Sequence, residues 1–231
     1  MTLAVVTGGA SGIGAAVTES LAADGTTCIV ADLDVPRARI PGVHYVRCDL
    51  STDEGVADLV RKVDSIGEHV EHLVECAAIL HSSAFLDTDR RDWERVLQVN
   101  LHSPIAVTQA IVPRMREGGR IVFFASGTVF KGPPNLFAYV ASKAGIIGLA
   151  RCLAEELGDK GITVNVVSPG ITATPMIDVV AETEEANIAT RAIKRRAYAD
   201  DIVGPVRFLL SEAARFVTGQ TLCVDGGSVK H

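Results

Sequence analysis

The sequence predicts an α/β fold: a doubly wound parallel sheet of seven strands in the order 3-2-1-4-5-6-7, with helices on both faces. Three observations carry this. Short β-rich runs alternate with longer helical patterns along all 231 residues. The short runs are near-continuously apolar rather than alternating, as suits parallel strands covered on both faces. A glycine-rich turn joins the first strand to the first helix. With 48% hydrophobic and 22% charged residues the composition is ordinary for a globular chain, which excludes disorder and collagen-like repeats. No internal repeat or linker interrupts it, so one domain is expected over residues 1–231.

The strands are expected at Leu3–Thr7, Thr26–Ala31, Val43–Cys48, His72–Cys76, Arg120–Ser126, Ile162–Val167 and Thr221–Val224. Helices follow in the gaps. Gly12–Ala23 opens behind the glycine turn. Thr52–Ser65 begins with Ser51 as N-cap and Glu54 closing a capping box. Asp89–Arg116 reads as one long helix with a bend at Pro104. Phe137–Gly158 carries small and apolar residues on one face. Ala199–Ser211 starts through Asp200 and Asp201, acids that suit a helix N-terminus. Residues 175–198 break the alternation; polar and charged, they are expected to form a mobile substrate lobe over a cleft.

Charge and cysteine usage exclude several function classes. Twenty-eight acids against 22 bases leave a net charge of −6, the wrong sign for a nucleic-acid partner. No apolar run approaches the roughly 20 residues of a membrane span. The chain enters its first strand at Leu3, leaving no room for a signal peptide. Five cysteines stand at 28, 48, 76, 152 and 223, with no C-x-x-C and apolar neighbours. They read as buried free thiols in a reducing, cytoplasmic compartment. No metal site is expected: His69 and His72 lack a third ligand and read as solvated loop histidines.

The first strand runs into Thr7-Gly8-Gly9-Ala10-Ser11-Gly12-Ile13-Gly14. Residues without Cβ let the backbone fold back tightly and approach a phosphate. The helix behind the turn aims unpaired N–H groups at a pyrophosphate. These features point to a Rossmann-type dinucleotide site. Asp32, at the end of the second strand, is placed to accept hydrogen bonds from the adenosine ribose hydroxyls. Its charge would repel a 2′-phosphate, so NAD is expected over NADP; Arg37 and Arg39 in the next loop are the groups able to reach such a phosphate.

The spacing Gly8-x-x-x-Gly12-x-Gly14 resembles that of the short-chain dehydrogenase/reductase family, and motifs along nearly the whole chain agree. Asn100 lies in Val99-Asn100-Leu101, Ser126 ends the fifth strand, and Tyr139-Val140-Ala141-Ser142-Lys143 opens the next helix. Asn165-Val166-Val167-Ser168-Pro169-Gly170 leads to Thr174, and Asp225-Gly226-Gly227 follows the last strand. The resemblance implies a catalytic set of Asn100, Ser126, Tyr139 and Lys143. It also implies a dinucleotide site of Gly8, Ser11, Gly12, Ile13, Gly14, Asp32, Leu33, Asp49, Leu50, Cys76, Ala77, Ala78, Tyr139, Lys143, Pro169, Gly170, Ile171 and Thr174.

Residue chemistry supports the core of that set. Tyr139 and Lys143 share one helical face. An ammonium near a phenol lowers its pKa from about 10 toward neutral, so Tyr139 is expected to titrate below the free value and to exchange the substrate proton. Ser126 would hydrogen-bond the substrate oxygen, and Lys143 the nicotinamide ribose. In the family the residue matching Asn100 orders a water in a proton relay. Glu75-Cys76-Ala77-Ala78 departs from the family's usual Asn-Asn-Ala-Gly: a carboxylate only accepts unless protonated. Buried there, Glu75 needs a partner or a raised pKa.

The resemblance implies interconversion of a secondary alcohol and a carbonyl with NAD. His81, Ser126, Thr128, Phe130, Leu136 and Met176 are the expected substrate contacts, fitting a small cyclic or aromatic body. The stretches Gly132–Tyr139 and Thr218–His231 are similar to those of members acting on ring-bearing alcohols, pyridoxal and 1-phenylethanol dehydrogenases among them. Two alternatives stay open: a 3-oxoacyl-carrier-protein reductase using NADPH, for which Lys194-Arg195-Arg196 would be the docking face, and a non-catalytic dinucleotide sensor. A homotetramer is expected, as is common in the family, with Ala141, Ala144, Ile147, Ala150 and Leu153 suiting close helix packing.

Overall fold

The structure, a computed structural model, describes residues 2–36, 38–67, 69–176 and 184–230. One parallel sheet is built from β1 (Leu3–Thr7), β2 (Thr27–Asp32), β3 (Val43–Arg47), β4 (Val70–Glu75), β5 (Met115–Phe124), β6 (Thr163–Pro169) and β7 (Thr221–Val224). Its seven strands stand in the order β3-β2-β1-β4-β5-β6-β7, as expected. The helices are α1 (Gly12–Ala23), α2 (Asp53–Ile66), α3 (Arg90–Leu97), α4 (Ser103–Ile111), α5 (Thr128–Lys131), α6 (Phe137–Leu157), α7 (Glu184–Thr190) and α8 (Asp200–Leu210).

Alternate residues of each strand point to opposite faces, and each face has its own core. On one, Leu3, Val5, Ile29, Leu73, Ile121 and Val164 pack beneath α2, α4 and α6, which supply Leu59, Val107 and Ile146. On the other, Ala4, Val6, Val30, Val74 and Val122 meet Val17 and Leu21 of α1 and Ile202 and Val206 of α8. Each such buried Val, Leu or Ile contributes roughly 1.5–3 kcal/mol. Cover on both faces is why every residue of β1 and β6 is buried.

Several local expectations are corrected. Thr52, not Ser51, caps α2: its side chain accepts the Gly55 N–H at 3.1 Å, while Ser51 Oγ donates to Asp49 at 2.6 Å. The stretch 89–116 is not one helix. A π-helical turn, Gln98–His102, separates α3 from α4, and the chain enters β5 at Met115. Pro104 sits in the first turn of α4 and has no N–H to return to the carbonyl four residues back, that of Asn100. The widened turn therefore begins ahead of the proline. β5 bulges between its pairings of Met115 with Val70 and Arg120 with His72, where Arg116 swings out to pair with Glu71.

His72 is no loop residue: it lies in β4, where burial lowers its pKa. All five cysteines are free, but Cys152 is exposed on α6, and Cys76 and Cys223 are only partly buried. An apolar segment of membrane-spanning length does occur, since α6 and its C-terminal extension to Lys160 pass that test. In this fold α6 instead packs Ile146, Ala150 and Leu157 into the sheet core. Ile147 and Ala150, expected on an intersubunit face, are spent in that same core, whereas Ala141 and Ala144 remain exposed.

Of the expected lobe 175–198, residues 177–183 lie outside the described residues, as does Arg37. The described flanks are tied down. Thr172–Ala173 pairs with Ala197–Tyr198. Arg191 is buried, its guanidinium bonded to Asn187 Oδ1 (2.9 Å) and to the carbonyls of Ile171 and Arg195 (both 2.7 Å).

Candidate active site

The C-terminal ends of the strands open onto one cleft of about 980 Å³, where open α/β sheets bind ligands. Its floor begins at the glycine turn. Gly8 adopts φ +64°, and a Cβ there would stand 2.7 Å from the Ala77 backbone nitrogen, so only glycine lets the turn rest against the chain leaving β4. A Cβ on Gly14 would overlap the Gly8 carbonyl oxygen. Behind the turn, α1 presents its N-terminus to the cleft with no side-chain cap from Ser11 and no acid in its first turn. Uncapped N–H groups with a positive dipole end fit a pyrophosphate.

At the end of the cleft beside β2, Asp32 Oδ2 accepts the Ala10 N–H at 3.0 Å, and Oδ1 accepts the Asp34 N–H at 3.3 Å. The carboxylate is thereby oriented while keeping lone pairs for further hydrogen bonds. Arg39 stacks over the Tyr45 ring, 4.9 Å from its centroid, and Arg47 Nε donates to the Leu33 carbonyl at 3.1 Å. Asp49 accepts from Ser51 and, at 3.4 Å, from Arg95; the Ser51 hydroxyl is the main cause holding its carboxyl below the usual range.

At the other end three side chains converge. Ser126 stands two residues beyond β5, and its oxygen accepts from Thr128 N (3.2 Å) and Thr128 Oγ1 (2.9 Å). Tyr139 and Lys143 project one turn apart from α6, with Lys143 Nζ 5.9 Å from the tyrosine ring centroid. Asn100 is fully buried behind this wall. Its amide clamps the backbone after β4, accepting Ile79 N–H at 2.8 Å and donating to Ile79 O at 2.9 Å and Ser142 Oγ at 3.2 Å. Its side chain is thus occupied in holding α6 to the cleft wall.

The electrostatics correct one expectation. Burial pushes the Tyr139 phenol above its ordinary pKa, with Ser126 acting in the opposite direction. The reason is that Lys143 donates to the Phe124 carbonyl at 2.9 Å, and burial lowers its own pKa to about 8. Desolvation of the phenol outweighs an ammonium turned toward another acceptor.

The described cleft wall includes every expected dinucleotide residue, together with Ser126, Tyr139, Lys143, Thr128, Leu136 and Met176. His81 and Phe130 are not part of it, and Asn100 stands behind it. Three lining residues had no signal in the sequence. Lys131 Nζ bonds Thr190 Oγ1 at 3.3 Å and Ser228 Oγ, making a polar rim near Leu136. They come from α5, α7 and the turn after β7, so only the folded chain assembles them. Among the described residues no metal-binding cluster occurs.

Comparison with known proteins agrees with this geometry. The profile of a family described as enoyl-(acyl carrier protein) reductase matches residues 8–229. The chain is 33% identical to 3-oxoacyl-[acyl-carrier-protein] reductase of Thermotoga maritima, over 97% of this chain and 96% of that one. Among solved structures, a short-chain dehydrogenase/reductase from Brucella melitensis, described as a glucose/ribitol dehydrogenase, aligns with a TM-score of 0.93 at 28% identity, covering 100% and 97% of the two chains. A 4-hydroxyisoleucine dehydrogenase complexed with NADH aligns with a TM-score of 0.91 at 27% identity, covering 99% of each.

Proposed function

The chain belongs to the short-chain dehydrogenase/reductase family of alcohol and carbonyl oxidoreductases, and from that premise we propose that it works with NAD on a compact cyclic or aromatic substrate. The observation that carries this reading is the convergence of Ser126, Tyr139 and Lys143 on a cleft whose far end holds Asp32 and the glycine turn. When bound, the dinucleotide accepts or supplies the hydride. Gly8, Gly12, Ile13 and Gly14 hold its phosphates, Asp32 its adenosine ribose, and Lys143 its nicotinamide ribose. Ser126 hydrogen-bonds the substrate oxygen. Tyr139 takes the hydroxyl proton in oxidation and returns it in reduction. Its raised pKa keeps it protonated at neutral pH, the form that donates in reduction. Asn100 keeps the helix bearing both groups in place. One unit spanning 1–231 does this work, with Met176, Ala186, Asn187 and Thr190, from the described flanks of 177–183, on the substrate side of the cleft. A screen at 340 nm of cyclic and aryl secondary alcohols, polyols and a 3-hydroxyacyl thioester, with both cofactors, tests the reading. A polyol or thioester leading tenfold in kcat/KM would overturn the substrate class.

Cofactor choice is argued from charge. The Asp32 carboxylate would meet a 2′-phosphate with like charge, and of the nearby cations among the described residues Arg39 is stacked on Tyr45 and Arg47 is tied to Leu33. NAD is expected to exceed NADP in kcat/KM, and Asp32→Ala to narrow the gap at least tenfold, about 1.4 kcal/mol. Equal use of both by the wild type would sink it. The carrier-protein alternative is weakened by its own docking face: Arg195 is paired with Asp201 (2.6 Å), Arg196 with Glu184 (2.8 Å), and Lys194 donates to the Ala189 carbonyl.

For assembly the reading is a homotetramer of D2 symmetry. Phe208, Phe216 and Leu222 are exposed on α8, the segment after it and β7, and Ala141 and Ala144 on α6. Light scattering at micromolar concentration should return four times the 24.4 kDa chain mass; a monomer mass excludes it.

A further inference from the structure

Glu75 ends β4 on the sheet face covered by α4 and α6. It lies two residues along from Leu73, a core residue of that face, and in register with Phe123 of β5. Thr7 is its neighbour on β1. The residue is buried, and Thr7 Oγ1 donates to its Oε2 at 2.8 Å. Thr7 Oγ1 in turn accepts the Ala77 N–H at 3.3 Å, so the carboxyl braces the cleft wall through one hydroxyl. The second oxygen, Oε1, is buried with no hydrogen bond of good geometry, beside a Thr108 hydroxyl from α4 in the same condition. From α6, Lys143 reaches the same corner and donates to Phe124, the residue next after Glu75's strand partner. Among the described residues the carboxyl is surrounded by Thr7, Phe123 and Thr108, by the Cys76 thiol, which burial holds protonated, and by one cation, Lys143.

We propose that Glu75 is a positioning residue whose carboxylate is the buried counter-charge that holds the proton on Lys143. The inference rests on the catalytic reading of Lys143 for its functional consequence, but not for its geometry. Burial pushes Glu75 up to about 8, opposed by the Thr7 hydrogen bond and then by Lys143, and burial pushes Lys143 down to about 8, opposed by Cys76 and then by Glu75; the Cys76 thiol is itself pushed far up by burial and stays neutral, which leaves Glu75 as the partner that ionises. Two groups matched in this way titrate as a pair. As pH rises, Glu75 ionises, and the new negative charge strengthens the hold of Lys143 on its proton. The ammonium form then persists into the alkaline range where Tyr139 must be deprotonated. An asparagine at this position would brace the wall but could not supply the charge.

The test uses the dinucleotide-free protein labelled with 13C-lysine. In the wild type, the Lys143 signal should show two inflections between about pH 6 and pH 10, the first from ionisation of Glu75. In Glu75→Gln and Glu75→Asn the first should vanish and the Lys143 midpoint fall by about one pH unit or more. Melting gives a second readout. The folded-state pKa of Glu75 is raised above its unfolded value, so its stabilising contribution is complete at low pH and lost as pH rises toward 8. Glu75→Gln should therefore melt like the wild type near pH 4, below the unfolded pKa of 4.5, and above it at pH 8. In turnover, the alkaline limit of kcat should move to lower pH with the Lys143 midpoint. A single inflection in the wild type, or an unshifted midpoint in the variants, overturns the proposal. So does a kcat lowered equally at every pH. Shifted midpoints in a protein inactive on every alcohol would support the pairing and remove the catalytic reading instead.

Discussion

Tyr139→Phe is expected to lower kcat by about 10²–10⁴-fold, the usual contribution of general acid–base catalysis, while NADH affinity stays nearly intact. In the proposed reading the phenol exchanges a proton with the substrate oxygen, beside Ser126 and one helical turn from Lys143. The same reading puts the phosphates and adenosine ribose at the other end of the cleft, on the glycine turn and Asp32, so binding and turnover should separate. The variant loses one oxygen from a buried side chain and should fold. Wild-type alcohol oxidation should rise from pH 6 to pH 9, because burial leaves the phenol protonated at neutral pH and base strength appears only as it ionises. Steady-state kinetics and NADH fluorescence titration of both proteins decide it. Retention of more than about a tenth of wild-type kcat would remove the proton-transfer role.

Gly14→Ala is expected to abolish measurable NADH binding and to destabilise the fold by about 1–3 kcal/mol. The added methyl would overlap the Gly8 carbonyl oxygen and stand 3.1 Å from Gly9 Cα. Neither atom can yield alone. Gly8 is held by its N–H to the Ala31 carbonyl at 2.9 Å and lies against Ala77 on its other side. Relief therefore opens the turn that, in the proposed reading, aims α1 at the phosphates. Gly148→Ala is the control: it lies in α6 outside the cleft wall, with nothing of its own chain near its Cβ position, so NADH binding should be unchanged. NADH titration and denaturant melts of the two variants give the comparison. Normal binding by Gly14→Ala would show that the turn does not hold the dinucleotide.

The sequence by itself determined the parallel sheet, its strand order and the residues at the strand ends. The strands and the turn follow from local physics, and the strand order from the Rossmann-type pattern they make together. A short apolar run such as Leu3–Thr7, bounded by a glycine turn, suits a strand covered on both faces, and the turn at Gly8–Gly14 admits few backbones. The spacing of Tyr139 and Lys143 likewise fixes a shared helical face whatever surrounds it. Only the tertiary structure decided what those groups are bonded to and how strongly they hold protons. Tyr139 was expected to titrate low because an ammonium was near in sequence. The fold turns that ammonium to Phe124 and buries the phenol, so desolvation wins. The partners of the Asn100 side chain, Ile79 and Ser142, lie on other segments, and the rim of Lys131, Thr190 and Ser228 draws on three separate elements. Periodicity and turn chemistry act over a few residues and are legible along the chain. Desolvation and hydrogen-bond partnership act through space, and their magnitude exists only once distant segments have closed around the group.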